Sequence, residues 1–354
     1  MQQSAEGKPS VMHEQSGGLS MAAGSWWSRF AISRGAIGSA LLLTAFGATI
    51  VGGLYTFVGP NSAQAAYLSM MLLLSPVRAL PVRWRIGAAV WAVAIALLGF
   101  SLGIAAPELL PICLLLVCLV QGFFRLGSVA SMTRSPVNLL VFAGLSHTEV
   151  ATWHVFVGAV VGAGFLLLFS FFLPGGSSAP LAPAPLRARL SSGVMLASGA
   201  LLILWISSAI DYPYVSWVLL SYCMILAVDT GHVVERARSR ILGTVAGAIA
   251  ATLITLAPQP VPIIAAVIAV VLCVAYARSG NYAMFVTFLT PAVLLTTSSE
   301  KPAYIVGIGR IEAVLAAAII ALAVTFITHQ LAHTRLFQRS TDAPFTPQQI
   351  EGTR

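Results

Sequence analysis

Charge is what this chain has least of. Only 8% of its 354 residues are Asp, Glu, Lys or Arg, against about a quarter in a soluble domain. So little polar surface excludes a water-soluble globule. Cysteine is nearly as scarce. Cys113, Cys118, Cys223 and Cys273 all lie in apolar stretches without a CxxC pair or a neighbouring His, and they read as small buried hydrophobes rather than a disulfide framework or a ligand set. No GxSxG, Walker loop, HExxH or soluble cluster of carboxylates is present, so neither an enzyme constellation nor a cofactor or metal site is expected. The net charge of +8 comes without a basic patch interleaved with aromatics, which argues against nucleic acid as a partner.

Apolar runs are what the chain does have. Its residues are 58% hydrophobic and its mean hydropathy is +0.90, so membrane lipid is the expected surrounding. A bilayer core takes about 20 apolar residues as helix. Candidate spans fall at 36–58, 65–80, 86–105, 107–124, 155–173, 192–210, 213–229, 240–258, 261–277, 279–298 and 307–329. A twelfth belongs near Arg134: the apolar run Pro136–Ser146 is too short alone, so its helix is expected to start near Ser128 and to carry Arg134 about six residues, or roughly 9 Å, inside it. With both termini cytoplasmic, sixteen of the 19 Lys and Arg residues fall on the inner side; only Lys301 and Arg310 fall outward. That is a strong positive-inside bias, and dropping one span would give the two halves opposite signs.

The second half echoes the first. Arg34-x-x-x-Gly38 matches Arg189-x-x-x-Gly193, Tyr67-x-Ser69 matches Tyr214-x-Ser216, Arg83-x-Arg85-Ile86 matches Arg238-x-Arg240-Ile241, and Pro136 matches Pro291, most of them 155 residues apart. Six spans per unit is even, so both units insert the same way round. The expected fold is an all-α integral membrane protein of about 12 transmembrane helices, arranged as two parallel six-helix repeats with a pseudo-two-fold along the membrane normal. The expected division is a disordered cytoplasmic N-terminus (1–33), a diverged first repeat (34–174), a cytoplasmic linker rich in Pro and Ala (175–189), a second repeat (190–330) and a cytoplasmic tail (331–354).

Within the second repeat, Arg240-Ile-Leu-Gly243-Thr244-Val-Ala-Gly247 follows a basic loop containing Arg236. Its small residues share one helix face, which lets two helices approach closely in lipid. Together with Tyr214-Val-Ser-Trp-Val-Leu-Leu, this R-x-x-G-T-x-x-G pattern resembles the fusaric acid resistance family, which includes aromatic acid exporters; plant aluminium-activated malate transporters look like distant relatives. The resemblance covers 190–330 directly and 34–173 through the repeat, where the motif decays to Arg85-Ile-Gly87. It implies an efflux transporter of the bacterial inner membrane, with a periplasmic adaptor partner in some systems. Many relatives carry large cytoplasmic domains after each unit, whereas here the linker has about 15 residues and the tail about 25.

Ionisable groups in or beside spans mark the expected substrate pathway. Arg134 is the first candidate, with a cavity-facing role or snorkelling both open; its match in the second half is the apolar Leu289. Arg310 and Glu312 sit near the outer end of the last span and point about 200° apart, so they cannot line one cavity. Asp229 beside His232 offers a proton relay or a solvated loop. His154, with His147 and Glu149, has loose spacing for a metal and reads as an interfacial loop. Trp205, Trp217, Tyr222, Phe285 and Phe288 are candidate walls for an aromatic cargo. Arginine suits a carboxylate because its planar fork binds both oxygens. The expected function is export of small organic, possibly aromatic, carboxylates or related toxic compounds, coupled to protons. An anion channel of the malate-transporter kind and a non-transporting scaffold subunit remain alternatives, and a homo-oligomer stays open.

Overall fold

The computed structural model describes residues 32–74, 76–126, 129–130, 132–146, 151–172, 182–297 and 302–333. The N-terminal segment before them, His147, Glu149, Lys301, residues 175–181 of the expected linker and the tail beyond 333 lie outside the described residues. Thirteen α-helices follow in order: α1 (Arg34–Phe57), α2 (Pro60–Leu73), α3 (Pro76–Ala79), α4 (Val82–Ala105), α5 (Leu110–Phe123), α6 (Ser135–Leu145), α7 (Thr152–Phe172), α8 (Leu186–Ala209), α9 (Val215–Ile225), α10 (Val233–Thr255), α11 (Val261–Ser279), α12 (Tyr282–Thr297) and α13 (Ala303–His333). Two short strands, β1 (Arg125–Leu126) and β2 (Val129–Ala130), pair antiparallel between α5 and α6.

Local chemistry sets the ends of these helices. Ser33 caps α1 by accepting from the Ala36 amide, as short hydroxyl side chains do at N-termini. Prolines stand in the first turns of α2, α5, α6 and α11, where the missing N–H costs nothing. Gly280 ends α11 in the left-handed region, at φ 82°, the conformation glycine adopts most readily.

Length and burial divide the helices into two kinds. Seven stretches, within α1, α4, α7, α8, α10, α11 and α13, are long and apolar enough to cross a membrane. They turn large apolar side chains outward: Phe57 is 90% exposed, Trp205 71% and Ile319 68%. In water such a surface would drive aggregation; in lipid it is the ordinary outer face. The second kind is short and enclosed. α6 and α9 have 11 residues each, about 16 Å of rise, and nearly every side chain of α6, and of α9 from Val218 onward, is buried. Broken or short helices at membrane depth are tolerated where protein covers their open ends.

Packing pairs these elements in a repeating way. α2 packs on α7 and α9 on α13; α4 packs on α6 and α7, as α10 does on α12 and α13. The two sets are tied by α1 against α11 and by α5 against α8. Small residues permit the closest approaches. A methyl group at Gly122 would fall 2.6 Å from the Arg189 carbonyl, and one at Gly99 2.5 Å from the Leu139 carbonyl.

Three expectations need correction. Arg134 is not inside a helix that begins near Ser128; it is the residue preceding α6, with φ −123° and ψ 3°. The cause is Pro136, which belongs in a first turn and not in a helix interior. Upstream, the chain folds into the β1–β2 hairpin, which is held by a Leu126–Pro183 bridge and by the Ala184 amide donating to the Arg125 carbonyl. Secondly, α8 starts at Leu186, so Arg187 and Arg189 occupy its first turn and not a linker reaching 189. Thirdly, the helices in the expected spans 65–80 and 213–229 are the shorter α2 and α9; α2 gives way to the separate turn α3.

Candidate anion-binding site

Where α2, α11 and α12 meet the start of α6, they enclose a cavity of about 270 Å³. Its wall is mostly apolar, with Met71 from α2 and Leu74 just after it, Val270 and Val274 from α11, and Phe285 and Leu289 from α12. Among the described residues Arg134 supplies its charged side chain, and Tyr67, Cys273 and Thr296 its other polar groups. Tyr67, Met71, Leu74, Val270 and Val274 also line a second apolar space of about 220 Å³, which continues to Leu43, Gly47 and Phe165 of α1 and α7. A charged head and an apolar body can therefore be housed side by side.

Arg134 is held by the ends of two helices. Its Nη1 donates to the Met71 carbonyl at 3.0 Å, in the last turn of α2, where carbonyls lack intrahelical partners and a cation is favourable. One turn further into α6, Asn138 donates to the Leu68 carbonyl at 2.9 Å. The Ser135 amide donates to Gln121 Oε1 at 3.2 Å, and Trp91 Nε1 to Ser135 Oγ at 3.1 Å. The guanidinium thus sits beside the positive end of the α6 dipole, a natural place for an anion. Its Nε is buried without a partner. Among the described residues no carboxylate lines the cavity.

Two further arginines lie near it. Arg240 is 1% exposed and Arg310 2%. The Arg240 charge acts on both Arg134 and Arg310, and Ser221, which Arg240 reaches, lies one turn along α9 from Trp217, the ring under Arg310. Arg240 came from the sequence only as part of the packing motif after a basic loop. Its burial was nevertheless written in the helical period, since positions 240, 243, 244, 247 and 251 share a face and all of them are buried. That face meets α12: a methyl group at Gly247 would lie 2.6 Å from the Thr287 carbonyl, and one at Gly243 3.1 Å from the Thr287 amide. Thr244 is 1% exposed on the same side.

The other candidates are dispersed. Glu312 is exposed and lines a separate space of about 140 Å³ with Tyr212 and Ile206. The Tyr212 phenol, in the α8–α9 connection, is held above its ordinary pKa by burial and then by the Glu312 charge. Asp229 forms an ion pair with Arg125 at 3.1 Å, with its side chain 55% exposed; an exposed pair contributes little, about 0–1 kcal/mol. Of the relay suggested with His232, the described contact is a backbone one, the His232 amide donating to the Asp229 carbonyl. His154 rests against Trp153, ring centroids 4.0 Å apart, and its carbonyl accepts from Ser62. Among the described residues no group of three metal-ligating side chains occurs. Of the aromatic candidates, Phe285 lines the Arg134 cavity, Phe288 stacks on Tyr276 at 5.5 Å, Tyr222 donates to the Met195 carbonyl, and Trp205 faces outward and takes no part.

The fold and its outward apolar faces define a multi-pass, all-helical membrane protein. Residues 200–324 match the family described as fusaric acid resistance protein-like, the family that the Arg240–Gly247 motif resembles. No curated protein and no solved structure gives a significant match to the chain.

Proposed function

We propose that the chain is an inner-membrane secondary transporter that exports small organic carboxylates, aromatic ones included. The observation that carries this reading is the Arg134 cavity, where one guanidinium with an unpartnered Nε borders an apolar space of about 270 Å³. The carboxylate binds the fork of Arg134, and the apolar body lies among Met71, Phe285 and Leu289. Most small-molecule sites share this design, an apolar wall with a few polar groups that fix orientation.

The architecture belongs to the same proposal: twelve membrane-embedded helices in two parallel six-helix units, with both termini cytoplasmic. The paired packing of α2–α7 with α9–α13, and of α4–α6 with α10–α12, supports it. Cysteine accessibility checks the topology. A cysteine placed in the 175–189 stretch is expected to label from the cytoplasmic side only, and periplasmic labelling there contradicts both the topology and the parallel repeat.

Proton coupling is the expected driving force, but one observation favours an anion channel without coupling: among the described residues no carboxylate lines the cavity, and a channel needs only positive charge and width. Flux into proteoliposomes, measured over a panel of carboxylates with and without a pH gradient, separates the readings. Carboxylate flux that rises several-fold with the gradient supports coupled export. Flux indifferent to the gradient supports the channel, and no carboxylate flux under either condition leaves the scaffold reading.

A further inference from the structure

We propose that Arg240 and Arg310 form a second, fully enclosed anion site, distinct from the Arg134 cavity, that takes a compact monovalent anion: a halide or a bare carboxylate head. Both side chains are at least 98% buried, and a guanidinium stays charged in a protein. Among the described residues no carboxylate pairs with either one; the ion pair formed there, Arg125–Asp229, involves other residues. Arg240 makes one long hydrogen bond, Nη2 to Ser221 Oγ at 3.4 Å, while its Nε and Nη1 are without partners. Arg310 lies over the Trp217 ring at 4.9 Å, and its Nε too is without a partner.

Two buried like charges repel each other, and each has lost its water. Burying one unpaired ion is costly. A desolvated cation–π contact offsets part of that cost, and a long neutral hydrogen bond offsets less. A bound anion accounts for the rest, by neutralising the pair and accepting an open N–H from each guanidinium. The neighbours are arranged to hold the pair rigid. Trp217 stacks on Tyr214, with ring centroids 4.7 Å apart and planes 9° apart. Gly309 lets the Tyr214 ring approach closely, since a methyl group there would fall against it. The Tyr212 hydroxyl donates to the Gly309 carbonyl at 3.3 Å. This enclosure favours a small ion over a bulky organic one.

The test uses the purified full chain in detergent and needs no transport, so it stands apart from the Arg134 reading. Sodium gluconate, too bulky for an enclosed site, is replaced by chloride, by bromide or by formate at constant ionic strength, and the thermal midpoint is followed. A saturable rise of about 2 °C or more is expected. It should be lost in Arg240→Gln and in Arg310→Gln and kept in Arg134→Gln. A response to chloride and bromide identifies a halide; a response to formate alone, lost in the Arg240 and Arg310 variants, identifies the carboxylate head. No difference from gluconate, or a response lost only in Arg134→Gln, overturns the site. Should either Gln variant fail to fold, the unmodified chain reports directly. Anion binding must change the Trp217 fluorescence, with Trp217→Phe as the control, and an unchanged signal then overturns the proposal.

Discussion

Arg134→Ala is expected to lose the proposed carboxylate flux by about 10–100-fold while the protein still folds. The estimate follows from the loss of charge-assisted hydrogen bonds worth about 1.5–3 kcal/mol, each 1.4 kcal/mol being tenfold in binding. Folding should survive because Arg134 makes one hydrogen bond to protein, to the Met71 carbonyl, and that carbonyl can turn to cavity water. Arg134→Lys should fall between the two, since an ammonium keeps the charge and loses the planar fork. Flux measured in proteoliposomes at matched protein density, beside the thermal midpoint of each variant, checks both statements. Normal flux in Arg134→Ala reduces the residue to a cap on the end of α2 and makes Arg310 the better candidate. A variant that does not fold makes Arg134 structural.

Much of the fold was legible because lipid imposes a simple rule: every long apolar run must be a helix or part of a closed barrel. The seven long helices follow from that rule. What length alone could not supply was the interior. The run after Arg125 reads as the missing piece of a span only if every segment must cross completely. Yet Leu126-Gly-Ser-Val129 also has the sequence signature of a tight hairpin, with Gly first of two central residues. The site was legible in part. Arg134 stood out as a charge in an apolar context, whereas Arg240 entered only as the first residue of the packing motif and was counted with Arg236 and Arg238 on the inner side. The structure separates them: Arg238 is exposed, Arg236 lies over the Tyr282 ring, and Arg240 is enclosed. Positive charge counted along a chain reports topology; the same charge read at helical period reports which face it occupies. The first half of the chain shows the contrast. Arg85, the match of Arg240, donates to the Leu80 and Ser170 carbonyls and so has backbone partners that Arg240 lacks.

Gly247→Leu should remove most of the folded yield in detergent, and the contact at Gly247 explains why. A first side-chain carbon there would lie 2.6 Å from the Thr287 carbonyl, 2.8 Å from Thr290 Cβ and 2.9 Å from Pro291 Cδ. Backbone and a proline ring cannot swing aside, so α10 and α12 must separate. Overpacking of this kind costs about 1–3 kcal/mol for small insertions, and a branched side chain demands more room than those. Gly243→Leu should be milder, because its nearest neighbour at 3.0 Å is the Val286 side chain, which can change rotamer. Gly87→Leu, on the matching helix of the first half, should be silent, since nothing lies within 4 Å of a carbon added there. The ordering Gly247 worse than Gly243 worse than Gly87, in yield and in thermal midpoint, is the measurable result; equal stability of all three variants would falsify the close α10–α12 contact. Gly247→Ala carries the consequence to function. It is small enough to fold, yet it pushes on the helix that contributes Phe285, Leu289 and Thr296 to the Arg134 cavity. Its carboxylate flux should therefore change at near-normal yield, because in lipid the shape of the cavity depends on how closely its helices are allowed to pack.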